Sequence, residues 1–310
     1  MRTAVIAGTV LALATVAPLF GRGPDVSTPV EGAAAGSALR PVMTRRYVMS
    51  GKVRPLLFWI GKEDIGEARI VWRRGEAGVG YEFLVGTDPA KAPRALNRWG
   101  YIAEDGEGAG GSLLALMTGA DEHSYADAES SSARPAGAGD FRAISARVGR
   151  GEATWQTARV TTPSALTVHD VDATLDRVRH ETSAVATRSM PLPAGARPGF
   201  LTAVAELLDQ TVRGVRDHAD TRTLTRPRLT YVFGQGSYEL QLREAETTLI
   251  EHGGQSVPAV RTAFEIRTLA TNVRTRFELT SGTSGDLAGV PLSISWQPRW
   301  WLRVGLTLAE

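Results

Sequence analysis

Apolar and polar residues alternate through the C-terminal third of the chain. Val273, Thr275, Phe277 and Leu279 alternate with Arg274, Arg276 and Glu278, and Tyr238, Leu240 and Leu242 alternate with Glu239, Gln241 and Arg243. Leu292, Ile294 and Trp296 are interleaved with Ser293, Ser295 and Gln297, and Trp300 to Leu308 continues the pattern to the end. A two-residue period puts one set of side chains in a core and the other in water, as in an antiparallel sheet. Gly234-Gln235-Gly236 and Gly282 to Gly285 fall where hairpin turns are required.

Shorter runs of the same kind predict strands earlier in the chain. They are Arg45–Ser50, Leu56–Ile60, Ala68–Trp72, Tyr81–Val85, residues 98–104 and 112–118, Phe141–Val148 and Ala153–Val160. Gly61, Gly66, Gly75, Gly78 and Gly80 are read as turn residues between them. Gly119 to Asp140 is rich in Ala, Ser, Gly and Asp and reads as a surface loop.

The period changes in the middle. Val168, Val171, Leu175 and Val178 recur at helical spacing, and Thr167 with Asp170 forms a capping box in front of them. Leu201, Val204, Leu208, Val212 and Val215 make a second stripe, with Pro198 suited to the first turn. Pro191, Pro193 and Pro198 separate the two. The expected fold is therefore α+β: a mainly antiparallel, curved, half-barrel-like sheet with two central helices packed on it. An outer-membrane barrel shares the alternation, but its strands of about 9 to 11 residues would occupy the whole chain. The short strands and the helical middle favour the curved sheet.

The N-terminus adds a compartment. Thr3 to Phe20 carries no charge, with Arg2 before it and Arg22 after it. Residues 1–22 are expected to form a secretory signal, the alternatives being an uncleaved N-terminal anchor or a buried helix. Residues 23–40 read as a flexible tether. Residues 41–310 form a β-rich domain, with sheet lobes at 41–162 and 226–310 joined by a helical segment at 164–220. A periplasmic or secreted location follows, or membrane anchoring through the N-terminal segment if it is retained.

Composition narrows the chemistry. The 310 residues contain no Cys, which excludes disulfides, a lipid-modified Cys, thiol catalysis and thiolate metal sites. A net charge of +2 supplies no field for nucleic acid. Positive charge is nearly all Arg, with Lys only at 52, 62 and 91. His169 lies among Asp170 and Asp172 without the i, i+4 ligand spacing, and His180 is about three turns further on. His218, His123 and His252 read as helix-end and loop residues. No metal and no cofactor are expected, and no nucleophile elbow or P-loop occurs. Glu63-Asp64 and Glu104-Asp105 read as turn residues.

Aromatic residues carry the remaining signal. Of the seven Trp, most fall in or beside strands, where core filling and cavity lining are the competing roles. Trp72, Phe83, Trp99, Phe277 and Trp296 are the residues assigned to a cavity between sheet and helices. In Asn97-Arg98-Trp99-Gly100-Tyr101, Arg98 either sits over a ring or decorates a strand edge.

Tyr47-x-x-x-Gly51, Phe58-x-x-Gly61, Ile65-Gly66-Glu67-Ala68, Pro291-Leu292-x-Ile294 and the last strand Leu302 to Leu308 resemble uncharacterised exported bacterial proteins of the lipoprotein-carrier type of fold. The resemblance covers the first and last thirds, and residues 105–225 have no counterpart in it. It implies a strongly curved antiparallel sheet holding helices in its concavity, a hydrophobic-ligand cavity, and no catalytic residues. The function expected is an exported protein that binds a lipid-like or other apolar molecule, or an envelope partner. An envelope hydrolase and a purely structural or interaction module are the alternatives.

Overall fold

The computed structural model describes residues 39–54, 58–76, 78–107, 110–118, 139–149, 151–162, 166–172, 175, 186–217, 227–234, 236–299 and 301–309. Residues 1–38, with the expected signal and tether, lie outside the described residues, as does most of the expected loop over 119–140.

One 14-stranded sheet organises the chain. Its strands are β1 (Arg40–Val53), β2 (Ile60–Gly75), β3 (Gly78–Thr87), β4 (Trp99–Glu107), β5 (Gly110–Thr118), β6 (Gly139–Val148) and β7 (Glu152–Thr162). They continue with β8 (Ala186–Pro191), β9 (Arg228–Phe233), β10 (Gly236–His252), β11 (Gln255–Thr268), β12 (Arg274–Gly282), β13 (Pro291–Arg299) and β14 (Leu302–Leu308). The order is β8-β7-β6-β5-β4-β3-β2-β1-β14-β13-β12-β11-β10-β9. Two antiparallel meanders thus meet where β1 pairs with β14, Tyr47 opposite Leu308 and Met49 opposite Leu306.

Alternation decides the faces. Phe83, Ile102, Ala115 and Ile144 stand in register across β3 to β6 and enter the main core. Their chain neighbours Leu84, Tyr101, Leu116 and Ala143 point the other way into a second cluster. On the other meander Leu242, Phe264, Phe277 and Trp296 form the same kind of row on the main-core face. Bulges at Pro41/Met43 and Met49/Gly51 in β1, and at Leu242/Glu244 in β10, increase the coil of the sheet. Gly66 in β2 belongs to this curvature, because a Cβ there would overlap the backbone of Gly86 and Thr87.

The sheet curls until its far ends meet without pairing. Trp155 of β7 and Phe233 of β9 are in edge-to-face contact, ring centroids 6.5 Å apart. The segment after β8 crosses the gap: the Leu192 N–H donates to the Gly151 carbonyl at 3.0 Å, and the Arg197 N–H donates to Thr230 at 2.7 Å. Edge strands β8 and β9 are at opposite ends of the order, so the sheet is curved and unclosed.

Helix α1 (Phe200–Asp217) lies against the inner face, contacting β9, β10, β3 and β4. Phe200, Ala203 and Leu207 pack into the main core. The Phe200 ring contacts Tyr231 at 5.7 Å and Phe277 at 5.9 Å. The main core thus lies on the inner face of the curved sheet, where an outer-membrane barrel is polar, and a smaller apolar cluster lies on the outer face. Among the described residues no helix is long and apolar enough to cross a membrane.

Four expectations are corrected. Among the described residues there is one helix of more than a turn, not two. The segment expected as the first helix begins with a 3-10 turn at Val168–Asp170, closed by the reciprocal Thr167/Asp170 capping box. Its residues Val168, Val171 and Leu175 pack on the outer face of the sheet rather than within the concavity, and Val178 lies outside the described residues. Gly61, Gly66 and Gly80 lie inside strands, not at turns, and at Gly66 close backbone approach is what requires a glycine. Of the apolar run Leu56–Ile60 expected as a strand, residues 56–57 lie outside the described residues, Phe58 is 61% exposed at a bend, and Ile60 opens β2.

Candidate functional site

A groove of about 640 Å3 runs between α1 and the inner face of the sheet. Its apolar lining is contributed by Met43 of β1, Ile70 and Trp72 of β2, Val79 and Phe83 of β3, Phe277 and Leu279 of β12, and Ile294 of β13. Helix α1 supplies Leu201, Val204, Leu208 and Val212. Two apolar faces on one helix explain how a groove persists beside a packed helix. Ala203 and Leu207 are committed to the core and Phe200 reaches both core and groove, while Leu201 and Val204 border the open space, as do Leu208 and Val212, which also pack with the buried Val260. Leu201 and Val204 remain half-buried.

Helix α1 is held in place at its N-terminus by a carboxylate from the sheet. Glu104 of β4 is 1% exposed. Its Oε1 accepts from the Leu201 N–H at 2.9 Å, and its Oε2 accepts from the Thr202 N–H at 2.8 Å and the Thr202 hydroxyl at 3.0 Å. These are the free N–H groups of a first helical turn, where negative charge is favoured. Burial nonetheless raises the Glu104 pKa from 4.5 to about 6, with the backbone N–H groups of Leu201 and Thr202 opposing the rise. Gly199 makes room for it, since a Cβ there would overlap the Glu104 carboxyl group. Both oxygens accept from the helix, so this carboxylate positions α1. Glu104-Asp105 is therefore not a turn pair. Asp105 points to the outer side, where the Arg73 guanidinium reaches it at 2.5 Å.

The five residues assigned to a cavity from the sequence separate into three groups. Trp72, Phe83 and Phe277 line the groove. Trp296 lies in the main core at 2% exposure and is absent from the lining. Trp99 is fully buried on the opposite face, with Leu84, Val168 and Val171, and its indole N–H donates to the Leu166 carbonyl at 2.9 Å. Arg98 donates to its neighbour Asn97 at 3.2 Å. A cation over a ring occurs elsewhere, with Arg303 above Trp59 at 5.4 Å. Sequence reasoning did not single out the helical lining Leu201, Val204, Leu208 and Val212, although it had identified that stripe as one apolar face.

The titratable clusters are structural at the surface. His169 is half exposed, with Nδ1 3.3 Å from Glu67 and Nε2 3.8 Å from Asp88. Asp170 caps its own turn, and the Thr167 N–H and hydroxyl hold its carboxyl below the ordinary range. Asp172 is lowered by its hydrogen bonds from Arg69. His123, His180 and His218 lie outside the described residues. No group of three His, Cys, Asp or Glu capable of holding a metal occurs among the described residues.

No family model matches the chain, and no curated protein does. Two solved structures match over most of the chain. One is a beta-barrel-like protein of a domain of unknown function, DUF1849, from Brucella abortus, at 8% identity and a TM-score of 0.36, covering 88% of this chain and 98% of that one. The other is a "putative lipoprotein" from Parabacteroides distasonis, at 8% identity and a TM-score of 0.24, covering 86% and 94%.

Proposed function

We propose that this is an exported protein that binds an apolar, lipid-like molecule in the groove between α1 and the curved sheet. The observation that carries the reading is the second apolar stripe of α1. Leu201 and Val204, half-buried, and Leu208 and Val212, which also pack with Val260, border about 640 Å3 together with Ile70, Trp72, Phe83, Phe277 and Leu279. That volume is within the roughly 300 to 1,000 Å3 of small-molecule sites, which are lined mainly by apolar and aromatic groups. Leaving such surfaces apart forgoes the stabilisation that collapse would bring, at about 25 cal/mol per Å2 of apolar area, and a ligand restores it. The uncharged stretch Thr3 to Phe20 supports export.

Organic extraction of the purified protein followed by mass spectrometry tests the reading. A stoichiometric apolar compound, lost when Val204→Trp fills the groove, is expected. A protein that yields no such compound, and that also takes up none when offered amphiphiles in solution, rules the reading out.

A further inference from the structure

The lining of the groove also carries charge, and the pairing of that charge selects among apolar ligands; this inference rests on the groove being a ligand site. Three acidic residues contribute to the lining: Glu82, Glu206 and Asp209. Each has an arginine partner, although Glu82 shares its own with a second carboxylate. Glu82 is 3.2 Å from Arg73, which also binds Asp105, while Glu206 pairs with Arg197 and Asp209 with Arg213. Three arginines line the groove as well: Arg74, Arg213 and Arg216. Arg213 is used by Asp209. Arg216 donates from Nε to the Thr283 carbonyl at 2.8 Å, a neutral acceptor that leaves its charge uncompensated. Arg74, beside the β2–β3 turn, has no hydrogen bond or ion pair among the described residues. Arg74 and Arg216 are therefore the lining cations without a carboxylate partner among the described residues.

Strand register shows where that charge meets the apolar lining. Ile70, Trp72 and Arg74 occupy successive groove-facing positions on β2, and Phe83, Tyr81 and Val79 stand opposite them on β3. Diagonal neighbours across such a pair are about 7 to 8 Å apart at the backbone, within reach of long side chains. Arg74 and Tyr81 are such neighbours, so guanidinium and phenol can meet at one point. Burial, then the negative charge of Asp209, raises the Tyr81 pKa while Arg74 lowers it, so the neutral hydroxyl is a donor. Polarity thus falls steadily along the strands: a cation and a hydroxyl near the hairpin, Trp72 next, then Ile70 and Phe83, with Phe277, Leu279 and Ile294 beyond.

We propose that the groove takes a single-chain amphiphile with an anionic head group. The head lies against Arg74 and the Tyr81 hydroxyl, and the chain lies over Ile70 and Phe83 beneath Leu201 and Val204. Charge-assisted bonds from a guanidinium to a carboxylate or phosphate are the strong members of their class. The volume of about 640 Å3 is that of one drug-sized ligand, which favours one chain over two.

Titration calorimetry on the full chain, with laurate, dodecanol, dodecyltrimethylammonium and dilauroyl phosphatidate as probes, tests the proposal. Laurate is expected to bind about tenfold more tightly than dodecanol, the worth of one charge-assisted contact at a partly exposed site. Arg74→Gln is expected to remove that advantage by weakening laurate about tenfold while weakening dodecanol by less, and Tyr81→Phe weakens laurate by about threefold. Equal affinity for laurate and dodecanol, tighter binding of the cationic probe, or an Arg74→Gln variant that binds laurate normally overturns the head-group assignment while the apolar site stands. Phosphatidate binding more tightly than laurate overturns the single chain. If neither laurate nor dodecanol binds, the groove reading itself falls.

Discussion

Glu104→Gln isolates the carboxylate that anchors α1, and its effect depends on pH in a direction the structure specifies. Burial raises the folded-state pKa of Glu104 from 4.5 to about 6. A group whose pKa is raised on folding binds its proton more tightly in the native state, so its contribution to stability is fully present below pH 4.5 and is lost as pH rises through 6. At 1.36 kcal/mol per pKa unit, that loss amounts to about 2 kcal/mol between pH 4.5 and 6.5. Asp170, Asp172 and Glu206 have the opposite sign, since their pKa values are lowered in the fold and their contributions vanish as pH falls. The comparison must therefore be between wild type and variant at each pH, which cancels the shared groups. Urea denaturation of both proteins from pH 4 to 7 is the assay. Wild type should gain about 2 kcal/mol relative to Glu104→Gln on going from pH 7 to pH 4.5. A stability difference that stays flat across this range, or that grows with pH, refutes the buried-carboxylate account. Direct titration of the Glu104 carboxyl carbon by NMR gives the same test in the wild-type protein alone.

Other positions make separate predictions. Gly199→Ala should lower thermal stability by about 1 to 3 kcal/mol, because the new methyl group overlaps the Glu104 carboxyl and the helix start must shift. Trp99→Ala should cost about 3 to 5 kcal/mol in denaturant unfolding and leave amphiphile binding unaltered, since Trp99 is fully buried on the outer face. Trp72→Ala should do the reverse, weakening binding by calorimetry with a smaller loss of stability, as Trp72 is half-buried in the groove wall. Arg197→Ala removes a half-exposed ion pair to Glu206 and should cost about 1 kcal/mol or less. Its clearer signature is faster hydrogen exchange at Val232, whose N–H donates to the Arg197 carbonyl across the gap between the sheet edges.

The strands most legible in the sequence were those with one wet face. β12, β13 and β14 show clean alternation, and their apolar members all point to the main core. β9 was marked only by the hairpin turn that follows it, because Tyr231, Val232 and Phe233 are all buried and the six-residue run has no alternation to read. β8 escaped for the opposite reason: Thr187, Arg188 and Ser189 are exposed at the sheet edge, and no apolar face marks the strand. The α1 stripe was visible, but a periodicity of 3.6 residues does not reveal whether a face meets protein or empty space. That depends on how far the sheet curls, which the bulges in β1 and β10 help to set. Trp99 and Trp72 looked alike in sequence, and only the parity of their strand positions sends one outward and the other into the groove. Glu104 was opaque because its partners lie 97 and 98 residues away, with Gly199 as the single local trace.

The groove is tested most directly by a methyl-resolved NMR titration of the protein with laurate. Ile70, Leu201, Val204, Leu279 and Ile294 border the groove, and their methyl signals should shift together and saturate at one equivalent. Those of Leu116, Val171 and Leu175 in the outer cluster should stay in place. Shifts confined to the outer cluster, or none at saturating laurate, would contradict the account.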